Sequence, residues 1–116
     1  MSDVTIYHNP RCSKSRTTLA LLEEQGINPR VVLYLESPLE VGDITVLLSK
    51  LGMQASQLIR RGEADYKEAG LDKASSENAL IAAMAARPKL VERPIVVKGD
   101  RAVLGRPPEN VLDLIS

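Results

Sequence analysis

"IYHNPRCSKSRTTL", residues Ile6–Leu19, decides how this chain is read. A β-branched and aromatic run, Val4–Tyr7, gives way to a polar loop of His8, Asn9, Pro10 and Arg11, and then to a segment of helical character. A helix that begins this way leaves its first N–H groups without intrahelical partners. Cys12, the single cysteine of the chain, stands at that point.

Downstream, "TTLALLEEQG" places Leu19 and Leu22 on one helical face, with Gly26 positioned to close the helix. "RVVLYLE", residues 30–36, is apolar on both alternating faces, Val31, Leu33 and Leu35 against Val32 and Tyr34. That pattern predicts a central strand covered on both sides, and a βαβ unit with a right-handed crossover. After Pro38 the period becomes helical, with Val41, Ile44, Leu47, Leu48 and Leu51 before a stop at Gly52. "ASQLIRRGEADYKEAG" predicts short helical turns, and "SSENALIAAMAARP" a helix with a serine N-cap over Leu80, Ile81 and Met84. "RPIVVKGDRAVLG" predicts two strands around Lys98, Gly99 and Asp100, and "PPENVLDLI" a last helix opened by proline.

The order is β-α-β, a helical insert at about 39–88, then β-β-α, with a cysteine between the first strand and first helix. It predicts an α/β, thioredoxin-like fold, a mixed four-stranded sheet with helices on both faces, in one domain over residues 1–116. A chain of 116 residues, 44% apolar, suits that size and buries roughly 60–70% of its unfolded surface.

Composition excludes several function classes. Fifteen Lys plus Arg balance fifteen Asp plus Glu, so no broad field draws nucleic acid or an anionic membrane. Phe and Trp are absent and only Tyr7, Tyr34 and Tyr66 are aromatic, which removes the stacking platforms of single-strand binders. The opening residues lack a leader pattern, and the apolar run from Leu80 to Ala86 is too short to span a bilayer; a cytoplasmic location is expected. One cysteine makes no internal disulfide, and one cysteine with one histidine builds no zinc site unless carboxylates or a second chain help, so no metal is expected.

A lone cysteine is by default a small buried apolar residue. Here Asn9, Pro10, Arg11, Ser13 and Lys14 surround it, a poor lining for an apolar pocket and a suitable one for a reactive thiol. A cysteine at a helix N-terminus has its pKa lowered from about 8.5 to between about 3.5 and 7.5. The N–H groups of Ser13, Lys14, Ser15 and Arg16 are expected to face the sulfur and to hold an oxyanion beside it. His8 serves either to bond loop backbone or to assist the thiol, and Ser15 either as a helix-start serine or as a hydroxyl donor to sulfur. A phosphatase-type C-x5-R loop needs arginine where Thr18 stands, and a C-x-x-C pair needs cysteine where Ser15 stands. An external thiol must therefore complete any cycle.

"YHNPRCSKSR", "YLESP", "LIRRGE", "RPIVV" and "GRPPENVLD", in that order along nearly the whole chain, resemble the glutaredoxin-coupled arsenate reductase family. The resemblance implies reduction of arsenate to arsenite through a Cys12 thiolate adduct, with protonated His8 and Ser15 assisting the sulfur. It further implies oxyanion binding by Arg60, Arg93 and Arg106, with Asn9 beside them. Glutathione is the implied co-substrate and glutaredoxin the partner, with no bound cofactor. Loss of Gly and Thr from the C-G-T-S-R of well-known detoxifying members, where this chain has Ser13 and Lys14, is similar to a chromosomal C-S-K-S-R subgroup. The two side chains are expected to narrow and charge the approach to the sulfur. Two alternatives follow, a glutathione-linked thiol reductase of another substrate and a redox-related regulator that binds a protein. The resemblance also implies a cis bond between Arg93 and Pro94.

Overall fold

The computed structural model describes residues 3–115; Met1, Ser2 and Ser116, the ends of the expected domain, lie outside the described residues. The chain divides into two compact units, one formed by residues up to Ser37 together with those from Arg93 onward, the other by Pro38–Glu92.

The first unit is built on a four-stranded sheet of β1 (Val4–Tyr7), β2 (Arg30–Val32), β3 (Ile95–Lys98) and β4 (Arg101–Leu104), in the order β2-β1-β3-β4. β1 runs parallel to β2 and antiparallel to β3, and β3 is antiparallel to β4, so the sheet is mixed as expected. Register places Ile6 opposite Val96, and Val96 opposite Val103, on one face. Helix α1 (Ser13–Glu24) brings Leu22 to that face, and α6 (Asn110–Ile115) brings Val111 and Leu114. Burying each of these aliphatic side chains contributes roughly 1.5–3 kcal/mol.

Helix α1 buries Ser15, Thr18 and Leu22, spaced at i, i+3 and i+7. Its apolar end lies over the core, and its polar end lies at the cysteine. It stops at Gly26, whose φ of 77° suits a residue without Cβ; Gly26 N–H donates to Glu23 O at 3.0 Å and Ile27 N–H to Leu22 O at 3.0 Å.

Two expectations need correction. The run 30–36 is not a central strand: β2 is a three-residue edge strand, with Val31 43% exposed. The rest of the run turns, Glu36 and Ser37 N–H both donating to Leu33 O, and this turn buries Tyr34 while Leu35 stays exposed. Alternating apolar residues were thus shared between an edge strand and a turn. The final helix starts at Asn110, because Pro107 and Pro108 form the turn before it, with Asn110 N–H donating to Pro107 O at 3.0 Å.

In the second unit, which contains the expected insert, α2 (Val41–Leu51), α3 (Ala55–Leu58), α4 (Ala64–Glu68) and α5 (Glu77–Ala86) precede a 3-10 turn at Pro88–Leu90. Glu40 and Asp43 cap α2 reciprocally, and the Ser76 hydroxyl accepts from Ala79 N–H at 3.2 Å. Ile44, Leu47, Leu58, Leu80, Met84 and Leu90 form its buried apolar interior. Val41, expected inside, is 51% exposed.

Candidate active site

The loop between β1 and α1 is held by its own backbone. Cys12 N–H donates to Asn9 O at 3.0 Å, closing a turn with Pro10 in its second position, where a fixed φ is favoured. The Asn9 Oδ1 accepts from Arg11 N–H at 3.0 Å, and Arg16 Nη1 donates to Pro10 O at 2.9 Å. Asn9, expected to contact substrate, thus commits its carbonyl oxygen to shaping the loop.

Cys12 is the N-cap of α1, at φ −93° and ψ 122°, and the residue is buried, at 9% exposure. Burial is the largest single influence on the thiol and pushes its pKa up. Opposing it are, in order, the Ser15 N–H, the Arg93 guanidinium, the Lys14 N–H and the Arg106 guanidinium, and together they hold the pKa below its ordinary value. The neutral thiol makes no capping hydrogen bond, so these amides act on the charged sulfur. Only part of the expected amide set participates, since Arg16 N–H is committed to Cys12 O at 3.0 Å.

His8, at the end of β1, is buried, and its Nδ1 lies 2.7 Å from Ser15 Oγ, which also accepts from Asn9 N–H at 3.1 Å. Burial first, and then the Arg16 charge, hold the His8 pKa below 6.5. Both influences favour the neutral imidazole and so work against the protonated His8 that the resemblance implies. Ser15 faces the sulfur through its backbone N–H, while its hydroxyl joins His8 to the loop. Ser13 and Lys14 are exposed, so their side chains lie at the outside of this helix start.

Arg93 and Arg106 both act on Cys12, and Arg106 Nη1 donates to Arg93 O at 3.3 Å. The Arg93–Pro94 bond is cis, as expected, and Arg106–Pro107 is cis as well. Arg60 belongs to the second unit, where its guanidinium pairs with Glu63 at 3.0 Å and Glu92 at 3.6 Å. Among the described residues no three His, Cys, Asp or Glu side chains cluster as a metal site. A cavity of about 690 Å³ bordered by Asp3, Arg30 and Lys98 lies at the opposite end of β1, away from Cys12.

Thr18 and Gly105 were missed by sequence reasoning. Thr18 is fully buried and its Oγ1 donates to Lys14 O at 2.8 Å, with Gly105 O at 3.3 Å. A Cβ on Gly105 would fall 2.5 Å from Thr18 Oγ1 and 2.8 Å from Pro94 Cγ. The available signal was a threonine on the buried stripe of α1, at the same spacing as Ser15 and Leu22.

The mixed sheet, with a cysteine at the N-cap position of the first helix, defines a thioredoxin-like α/β protein with a single-cysteine site. The ArsC family pattern matches residues 7–114, and the chain belongs to that family. It is 56% identical to the uncharacterized protein YfgD of Escherichia coli K12, over 97% of this chain and 96% of that protein. It is 46% identical to an arsenate reductase of Neisseria meningitidis serogroup A, over 96% and 97% of the two chains. The structure of an arsenate reductase from Vibrio cholerae superimposes with a TM-score of 0.91 at 54% identity, covering 95% of each chain.

Proposed function

We propose that this protein is a thiol-dependent arsenate reductase acting in the cytoplasm with glutathione and glutaredoxin. The observation that carries the reading is the convergence on one sulfur of two helix-start amides and two guanidinium groups, Arg93 and Arg106. They favour a thiolate, and the same cations suit the charge of a tetrahedral oxyanion held next to it. Relatives named arsenate reductase, at 46% identity over nearly the whole chain, supply the substrate.

In the proposed reaction the Cys12 thiolate attacks arsenic, and an arsenate oxygen leaves as water or hydroxide. A glutathione sulfur then attacks Cys12 Sγ; the new S–S bond forms as the S–As bond breaks, and its electron pair stays on arsenic, giving arsenite. Two thiols supply the two electrons. Glutaredoxin takes the glutathionyl group from the mixed disulfide and returns Cys12 to the thiol. Arg93 and Arg106 hold the oxyanion while its coordination changes; Arg60 enters this proposal through the family resemblance. Neutral His8 and Ser15 fix the loop that presents the sulfur. The regulator alternative is disfavoured by the second unit's exposed large apolar residues, Val41 and Val46, which stand about 140° apart around α2 and make no continuous patch.

The test is arsenite formation from arsenate with glutathione and glutaredoxin, omitting each component in turn and repeating with Cys12→Ser. Turnover is expected only in the complete system with the thiol intact. A wild-type protein that binds arsenate without reducing it in the complete system, or a Cys12→Ser variant that still turns over, sinks the reading.

A further inference from the structure

The nucleophile lies on α1, and the two arginines lie on a different stretch of chain, at either side of β3 and β4. Gly105 is where these parts meet. Its N–H donates to Pro94 O at 2.9 Å, its carbonyl lies 3.3 Å from Thr18 Oγ1, and the residue after it is Arg106, which donates to Arg93 O. Added bulk at Gly105 meets Thr18 Oγ1 at 2.5 Å, Pro94 Cγ at 2.8 Å and Thr18 Cγ2 at 2.9 Å, all closer than real Cβ contacts. The Thr18 side chain therefore occupies the space that glycine leaves open.

A valine would fill this volume equally well, and it would bury no hydroxyl. The threonine hydroxyl has one proton, and the 2.8 Å contact gives its larger share to Lys14 O, with the weaker arm reaching Gly105 O. Lys14 is itself one of the residues whose N–H faces the sulfur. One side chain thus bonds both the helix turn beneath the thiol and the segment that carries the arginines. We propose that Thr18 is a positioning residue which, through Gly105, sets Arg93 and Arg106 against Cys12. The role rests on the reading of Cys12 as the nucleophile of an oxyanion reductase.

The experiment compares Thr18→Val, Thr18→Ser and Leu114→Ala with wild type. Two readouts are used, the pH profile of Cys12 alkylation by iodoacetamide and the protection of Cys12 by arsenate. Thr18→Val is expected to move the alkylation curve to higher pH and to weaken protection roughly three- to tenfold, the equivalent of one hydrogen bond's net worth. Thr18→Ser, which keeps the hydroxyl, is expected to match wild type in both. Leu114→Ala, a cavity in the apolar core of the same unit, is expected to lower Tm and leave the pH profile in place. A wild-type profile in Thr18→Val, equal damage in Thr18→Ser, or an equal shift in Leu114→Ala overturns the proposal. If Thr18→Val does not fold, Thr18→Ala takes its place with the same expectation and the same refutation. Absence of arsenate protection in wild type refutes the oxyanion reading instead, and the alkylation profiles still decide the role of Thr18.

Discussion

At Cys12 burial and charge pull in opposite directions. Burial disfavours the thiolate most strongly of any single influence, yet two amides and two guanidinium groups outweigh it. Alkylation by iodoacetamide is therefore expected to follow an apparent pKa below that of an ordinary free thiol. Replacing Arg93 or Arg106 by methionine removes charge and should shift the curve upward. Replacement by lysine keeps the charge, so the curve should stay near wild type while oxyanion affinity falls with the loss of paired donors. A curve at or above the free value in wild type contradicts the site. His8 supplies a second test at this scale. Its folded pKa lies below 6.5, so the unfolded chain binds the extra proton as pH falls through that value. The stability contribution is complete above about pH 6.5 and is lost progressively below it. Tm measured between about pH 7.5 and 5.5 should fall more steeply for wild type than for His8→Gln, and equal slopes would show that His8 titrates normally.

At the scale of elements, α1 combines two buried environments along one stripe, Ser15 and Thr18 toward the cysteine and Leu22 in the core. The apolar part of that stripe was legible in the sequence, as were β1, β3, β4, α2 and α5, because their periods and caps are local signals. The polar part was not, since Thr18 meets Gly105 across 87 positions of sequence and nothing local announces that contact. The same blindness affected residues 30–36, where alternation could not distinguish an edge strand followed by a turn from a buried strand. The turn between β1 and α1 was legible because Asn9, Pro10 and Arg11 are turn and charge residues. The state of His8 was not, since it depends on burial and on Arg16. Gly105→Ala tests the tight contact directly. Overpacking at such a site costs about 1–3 kcal/mol, so a lower Tm is expected, and weaker arsenate protection of Cys12 should accompany it. Unchanged Tm and protection would mean that the contact yields freely.

At the scale of the whole molecule, the decisive fact is that the chain has one cysteine. Reduction of As(V) to As(III) takes two electrons, which the conversion of two thiols into one disulfide supplies. In the proposed reaction Cys12 provides one of those thiols, and the sequence holds no second cysteine to provide the other. A disulfide between two copies would require two buried cysteines to meet. The protein alone is thus expected to bind arsenate without releasing arsenite. Addition of glutathione without glutaredoxin should release arsenite in step with a mixed disulfide at Cys12, one of each per chain in the first turnover. Mass spectrometry of the intact chain follows the disulfide, and arsenic speciation follows the product. Glutaredoxin should then convert this stoichiometric burst into continued turnover, because it removes the glutathionyl group that blocks the proposed nucleophile, Cys12. Arsenite release by the chain with no added thiol contradicts this electron count and would require a reductant other than Cys12.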